Sequence, residues 1–185
     1  MILQMLKYAD VLGLPVICGS DGKKIGVVKD VIFCLKTKKV KGFLIEQGRY
    51  EPTKKIAMLG DVLNIGGDAV IINNCLNIKT VNKAEFETEF KLRGRINESR
   101  IYSKSGEDLG IVKDVLFDIN TGLIEGVEVS NGILQDIYLG RRVVPLFGKV
   151  EFNEEIILVG RDAMEEITST GGGIKRKLLG KEGSE

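Results

Sequence analysis

Residues 17–31 read ICGSDGKKIGVVKDV and residues 101–115 read IYSKSGEDLGIVKDV, so the same motif occurs twice, 84 positions apart (17 to 101). The match continues without a gap to residues 46 and 130, and ten of its 30 aligned pairs are identical. Unrelated segments of ordinary composition would share about two. A repeat on this scale indicates a duplicated structural unit, which decides the architecture before any single residue is considered.

The composition is that of an ordinary globular protein. The chain has 185 residues, of which 43% are hydrophobic and 29% are charged. With 27 basic and 26 acidic residues the net charge is +1, which predicts no overall attraction to nucleic acid or to anionic lipid. The repeat divides this length into two units of roughly 80 residues, which is a common size for a small domain.

Each copy begins with a predicted β-hairpin. In the first copy the apolar run Lys24–Leu35 is followed by Val40–Glu46, and in the second Leu109–Ile119 is followed by Leu123–Val129. The intervening Asn120-Thr121-Gly122 supplies residues that tolerate the left-handed backbone angles of hairpin turns.

Three shorter apolar runs follow in each copy, now at an offset of 87 residues. They are Ile56–Leu59, Val62–Ile65 and Ala69–Ile72, matched by Val143–Leu146, Val150–Phe152 and Ile156–Val159. The extra residues fall in Ser130–Arg142, which predicts a surface loop. Five or six short strands per copy favour a small barrel or sandwich, and therefore an all-β protein.

Two segments have helical patterns. Ala84–Phe90 carries Phe86 and Phe90 at i, i+4, and Arg161–Ile167 has Asp162 as an N-cap. We predict a first barrel over residues 1–80, a short helical connector over 81–95, a second barrel over 96–170 and a flexible, disordered basic tail over 171–185.

The repeated charged residues are a Lys-Asp pair preceded by a glycine, at Gly26, Lys29 and Asp30 and again at Gly110, Lys113 and Asp114. Adjacent residues on a strand face opposite sides, so one of the two charges would point into the core unless a bulge intervenes. The glycines stand where a bulge or tight bend is expected. We interpret the pair as structural, with the aspartates accepting hydrogen bonds from backbone N–H groups or from lysine. The alternative is contact with a ligand or partner.

Histidine is absent, which excludes a His general base, a His metal ligand and a Ser-His triad. Cys18, Cys34 and Cys75 are widely spaced and show no metal-ligand spacing, so we interpret them as buried, reduced thiols. Reduced thiols, the lack of an apolar run of about 18 residues and the lack of a signal-peptide pattern lead us to expect a cytoplasmic protein.

The tail carries Lys175, Arg176, Lys177 and Lys181 around two leucines. These charges give a weak, salt-sensitive attraction to RNA, to acidic protein or to anionic membrane. The alternative is a solvated tail without a partner.

The motif resembles the PRC-barrel domain. The pattern spans Gly22–Thr37 with Gly42, and Gly106–Thr121 with Gly126. The family is named for the cytoplasmic domain of the reaction-centre H subunit and includes the C-terminal barrel of a bacterial ribosome maturation factor. The resemblance implies two tandem small β-barrels, a role in assembly rather than catalysis, and no catalytic residue or cofactor.

We therefore expect a non-enzymatic cytoplasmic adaptor or assembly module that binds a protein partner. One alternative is an RNA- or ribosome-associated assembly factor that uses the basic tail. A second is a small-ligand- or metal-binding protein built around Asp30 and Asp114. Short exposed strands can pair with those of a second copy, so the sequence is also compatible with a homodimer.

Overall fold

The structure, a computed structural model, describes residues 5–34, 36–48, 53–89, 96, 98–131, 141–146, 150–153 and 155–161. It consists mainly of strands in two seven-stranded sheets, with only short helices among the described residues. The all-β prediction is therefore confirmed. None of the described helices is long and apolar enough to cross a bilayer.

The described residues form two compact units. The first unit comprises those of Tyr8–Arg93 together with Ile119–Leu123, and the second comprises the remainder. The first copy of the repeat thus forms most of the first unit, whereas residues 5–7 belong to the second. The residue boundaries of the four segments predicted from sequence stay predictions.

The sheet of the first unit has the order β6-β7-β2-β3-β4-β5-β8. Its strands are β2 (Pro15–Cys18), β3 (Lys24–Cys34), β4 (Lys39–Glu46), β5 (Thr53–Met58), β6 (Val62–Ile65), β7 (Val70–Ile72) and β8 (Lys79–Asn82). Helices α1 (Tyr8–Val11) and α2 (Lys83–Glu89) and two 3-10 turns, Leu59–Asp61 and Cys75–Asn77, complete it. All neighbours are antiparallel except β2 and β7, which run parallel.

The sheet of the second unit has the order β12-β11-β10-β9-β14-β13, with β1 paired to β10. Its strands are β1 (Met5–Lys7), β9 (Arg100–Ser103), β10 (Asp108–Asp118), β11 (Ile124–Ser130), β12 (Arg142–Pro145), β13 (Val150–Phe152) and β14 (Ile156–Val159). The hairpins β3–β4 and β10–β11 confirm the two predicted from sequence. Val28, Val31 and their counterparts Val112 and Val115 lie in the cores.

The long strand of each hairpin is irregular at matching positions. In the first unit β3 has one extra residue against β2, which is Ile25, and one against β4, which is Lys29, while β4 has the extra residue Lys41. The second unit repeats all three irregularities. They fall at the equivalent residues Leu109, Lys113 and Glu125. Bulges bend a strand and strengthen its twist, so the duplicated sequence encodes a duplicated bend.

The repeated glycines lie at the first of these bulges, as predicted. A Cβ atom at Gly26 would stand 2.4 Å from the carbonyl oxygen of Glu46, and one at Gly110 would stand 2.4 Å from that of Ser130. Gly110 also has φ +112°, a conformation that other residues rarely adopt. Only glycine lets the backbones approach this closely, which explains its presence in both copies.

Helix α2 begins with reciprocal caps. The Asn82 side chain accepts the Glu85 N–H at 2.9 Å, and the Glu85 carboxylate accepts the Asn82 N–H at 3.0 Å. This is the capping-box arrangement, in which two N–H groups without helical partners are satisfied. Phe86 is buried in a cluster of the first unit that contains Ile32, Leu44 and Ile56. The helix predicted over Ala84–Phe90 is thus confirmed as far as residue 89, whereas Phe90 lies outside the described residues. Phe86 packs into this unit.

Three predicted features fall wholly or largely outside the described residues. They are the loop Ser130–Arg142, the helix Arg161–Ile167 and the tail 171–185. They remain predictions.

A charged pair in the second unit joins β1 to β11. The Lys7 ammonium lies 3.0 Å from the Glu128 carboxylate, and the Glu128 side chain is only 5% exposed. Removal of one partner from a buried ion pair leaves the other charge desolvated without compensation. The pairing of β1 with β10 therefore brings a cation to an otherwise costly buried carboxylate.

We predict that Gly42→Ala lowers the free energy of unfolding by about 1–3 kcal/mol, a typical cost of overpacking. A Cβ atom there would stand 2.3 Å from the Ala57 carbonyl oxygen and 3.0 Å from the Met58 Cα. Denaturant titration measures the change. Gly60→Ala is the matched control, because a Cβ at Gly60 meets nothing within 4 Å. Equal stability of the two variants would contradict the close approach of β4 and β5.

We predict that Lys7→Met costs about 3 kcal/mol of unfolding free energy, because it leaves Glu128 buried without its cation. Lys104→Ala breaks the exposed pair with Glu151 and should cost less than about 1 kcal/mol. Thermal and urea unfolding measure both variants. In the double variant Lys7→Met/Glu128→Met stability should largely return, and a double variant as unstable as the single one would refute the assignment.

Candidate functional site

The Lys-Asp pair of the first copy is bound within its own unit. The Asp30 carboxylate accepts the Val31 N–H at 2.8 Å and the Tyr8 hydroxyl at 2.9 Å. Lys29, the extra residue of the bulge, is exposed and pairs with Glu46 on β4. The bulge thus lets two adjacent charges occupy an apolar strand without leaving an ammonium group in the core.

The second copy has the same backbone and different partners. The Asp114 carboxylate accepts the Val115 N–H at 2.8 Å and is buried. Lys113 lies 3.0 Å from Glu98, whose position corresponds to Leu14 in the first copy. The shared feature is therefore the aspartate that accepts the next N–H. Each lysine pairs with a carboxylate of its own copy, Glu46 for Lys29 and Glu98 for Lys113.

The structural interpretation of Gly26, Lys29, Asp30, Gly110, Lys113 and Asp114 stays a prediction, and the hydrogen bonds of the two aspartates are consistent with it. A carboxylate that accepts hydrogen bonds from its own backbone is satisfied and holds the bulge in place. Asp30 lies in the first unit and Asp114 in the second. The candidate partner contacts Lys175, Arg176, Lys177 and Lys181 lie outside the described residues.

The structure brings together a second group of polar side chains, which we call the thiol cluster: Cys18, Asp21 and Cys75. The ligand atoms of the three residues all lie within 4.8 Å of one another. Cys18 ends β2, and Cys75 begins the 3-10 turn after β7. Because β2 and β7 run parallel, with Cys18 opposite Ile72, the segments that follow the two strands meet at the same end of this strand pair.

Hydrogen bonds connect the two segments. The Cys75 N–H donates to the Cys18 sulfur at 3.1 Å, and the Gly19 N–H donates to the Ile72 carbonyl at 2.7 Å. The Ser20 hydroxyl lies 3.2 Å from the same sulfur. Cys18 is fully buried, so these contacts serve a sulfur atom that water does not reach.

The two thiols differ in acidity. The Ser20 hydroxyl, acting against burial and together with the Cys75 thiol, lowers the pKa of the Cys18 thiol. The contact with Cys18 and burial raise the pKa of the Cys75 thiol. The N–H and ammonium group of Lys23 lower the pKa of the Asp21 carboxyl. Of the two thiols, Cys18 is therefore the more acidic.

The sequence patterns did not identify this cluster. Cys18 and Cys75 are 57 positions apart, and no short motif links them. Of the three cysteines only Cys18 is fully buried, while Cys34 and Cys75 are half-buried. The one available signal was negative: the second copy has Tyr102 and Ser105 where the first has Cys18 and Asp21, so the duplicated fold does not require the cluster.

Two leucines are unusually exposed beside the thiol cluster. Leu76, which follows Cys75, is 85% exposed, and Leu63 on the edge strand β6 is 62% exposed. Leu63 is the extra residue of a bulge, because β6 skips it in pairing with β7. In the second copy β13 pairs with β14 without a shift, so Val150 pairs with Val159 as Val62 pairs with Ile72, and no residue takes the place of Leu63. The first copy thus adds an exposed leucine to its edge strand that the described part of β13 lacks.

Comparison with known proteins bears on both copies. The PRC-barrel domain profile matches residues 4–75 and again residues 89–164, together well over half of the chain. A relative, the uncharacterized protein YrrD of Bacillus subtilis (strain 168), is 24% identical over 137 residues, covering 73% of this chain and 75% of its own. These matches confirm the resemblance drawn from the repeated motif, including the duplication.

We predict that Asp114→Ala lowers the free energy of unfolding by about 1–3 kcal/mol, because it removes an acceptor from a buried site. Asp114→Asn retains an oxygen that can accept the Val115 N–H and should lose less. Urea titration separates the two variants. If Asp114→Ala left stability unchanged, the aspartate would not be structural and a contact role would take its place.

Proposed function

The chain belongs to the PRC-barrel family, and on that premise we propose that it is a non-enzymatic adaptor or assembly module that binds a protein partner. The observation that carries the proposal is the leucine pair Leu63 and Leu76 of the first unit. We call these two side chains the leucine edge.

The bulge at Leu63 supports a docking role. Bulges near binding sites commonly redirect a side chain, and this one occurs in one copy of a duplicated fold. Burial of an exposed leucine against a partner contributes roughly 1.5–3 kcal/mol. Two leucines beside an edge strand therefore offer a useful part of the free energy of a modest protein interface, which suits an apolar partner surface rather than RNA.

The lack of histidine and the way the repeated charges are used support the non-enzymatic part. The repeated aspartates accept backbone N–H groups, and the repeated lysines pair with Glu46 and Glu98. None of the repeated ionisable groups is thus left for acid–base catalysis on an external substrate. We place the module in the cytoplasm, where free thiols such as those of Cys18, Cys34 and Cys75 persist.

The test is affinity capture with the full chain as bait, comparing the unchanged protein with Leu63→Asp/Leu76→Asp. We expect a specific protein to be retained by the former and lost by the latter, because a charge at each position opposes burial in an apolar interface. Thr80→Asp is the matched control. It adds charge at an exposed position of β8, at the other edge of the same sheet.

Size-exclusion chromatography of the same variants tests whether the partner is a second copy of the chain. A dimer abolished by the leucine substitutions and kept by Thr80→Asp supports self-association through the leucine edge. Capture and oligomeric state that do not differ among the three proteins would refute the leucine edge as the docking surface. Retention of ribosomal RNA, abolished by deletion of residues 171–185, would favour the RNA-associated alternative instead.

A further inference from the structure

We propose that Cys18, Asp21 and Cys75 bind a thiophilic divalent cation, with Zn²⁺ as the expected ion. The proposal is independent of the adaptor function, because it concerns the isolated chain. It rests on the convergence of two sulfurs and a carboxylate within 4.8 Å, produced by the parallel pairing of β2 with β7.

The donor set suits zinc. Zn²⁺ binds thiolate sulfur at about 2.3 Å and carboxylate oxygen at about 2.0–2.2 Å, usually in a tetrahedron. Ligand atoms of such a site lie roughly 3.3–3.8 Å apart, so atoms that all lie within 4.8 Å of one another need to approach by at most roughly 1–1.5 Å. Soft thiolates select against magnesium and calcium, which prefer all-oxygen sites. Three protein ligands leave a fourth position for water or for a group from a partner.

Groups next to the Cys18 sulfur are already placed to orient and stabilise a metal-bound thiolate. The Cys75 N–H and the Ser20 hydroxyl both contact the Cys18 sulfur, at 3.1 Å and 3.2 Å. Such contacts orient a ligand and compensate its charge, as outer groups do in metal sites. The Lys23 N–H likewise donates to one oxygen of Asp21, at 3.1 Å, and so orients the carboxylate.

Lys23 also has an ammonium group 3.0 Å from the other Asp21 oxygen. A metal ion would compete with this contact. The Lys23 side chain is 79% exposed, so it can turn into water at little cost. Two thiolates and a carboxylate around a divalent cation leave one negative charge, which the same ammonium can still neutralise from nearby.

The 3-10 turn that carries Cys75 is held in place by its own contacts. The Asn74 side chain accepts the Leu76 N–H at 2.9 Å, and the Asn77 amide donates to Asp61 at 2.7 Å. The Asn73 N–H donates to the Asp61 carbonyl at 2.8 Å. A ligand on an anchored segment loses little freedom when it binds, which favours affinity.

The test is zinc binding by the full chain, purified under reducing conditions and stripped with a chelator. Competition with a chromophoric chelator should give one Zn²⁺ per chain. Co²⁺ added in place of Zn²⁺ should produce sulfur-to-metal charge-transfer absorption, which reports thiolate ligation directly. Bound zinc should also protect the half-buried Cys75 from alkylation, read by mass spectrometry.

The variants distinguish ligands from neighbours. Cys18→Ser and Cys75→Ser should each weaken binding more than about 100-fold, beyond the 10–100-fold typical of outer-shell changes, and Ser20→Ala should weaken it about tenfold. Cys34→Ser is the matched control, because Cys34 ends β3 and is not part of the cluster. Circular dichroism of the apo variants verifies that they fold. Cys75→Ser is the substitution expected to disturb folding less than Cys18→Ser, because Cys75 is only half-buried.

A reduced chain that takes up no zinc above the buffer blank would overturn the proposal. Affinity that falls as much in Cys34→Ser as in Cys75→Ser would overturn it too. Failure of partner capture with intact zinc binding would refute the adaptor function alone, so the two proposals can fail separately.

Discussion

The bend of the long strand in each hairpin is the constraint on which the rest of both units depends. Strands β3 and β10 each carry an extra residue against the neighbour on either side. At the first bulge the backbone approaches the adjoining strand so closely that a Cβ atom at Gly26 or Gly110 would overlap a carbonyl oxygen. The second bulge places a lysine next to an aspartate. Bends of this kind let a seven-stranded sheet curve around its own core.

The bend explains how the Lys-Asp pair fits into an apolar strand. A regular strand would force one of two adjacent charges inward, at a cost that an unpaired ammonium group could not recover. The bulge removes the conflict, and the aspartate accepts the following N–H, which keeps the bend in place. The lysines have different partners, Glu46 in one copy and Glu98 in the other. The shared requirement is therefore the backbone geometry and the acceptor, not a particular ion pair.

Duplication makes the differences between the copies informative. The glycines and aspartates that both copies share are accounted for by the bend. Where the first copy alone has a fully buried cysteine hydrogen-bonded to the segment after β7, or a bulged leucine at a sheet edge, the fold does not require it, because the second unit forms without it. Both features lie at the same end of β2 and β7. A candidate metal site and a candidate docking surface are thus neighbours in the first unit.

The sequence by itself determined the duplication, the all-β class, both hairpins, the helix that contains Phe86 and the bulge glycines. These follow from repetition, from residue periodicity and from the turn and bulge preferences of glycine, which act over a few residues. The exposure of Leu63 was not predictable, because a bulge in β6 is set by how β6 pairs with β7. Nor was the meeting of Cys18 with Cys75. Only the parallel pairing of β2 with β7, between segments distant in sequence, brings those two sulfurs together.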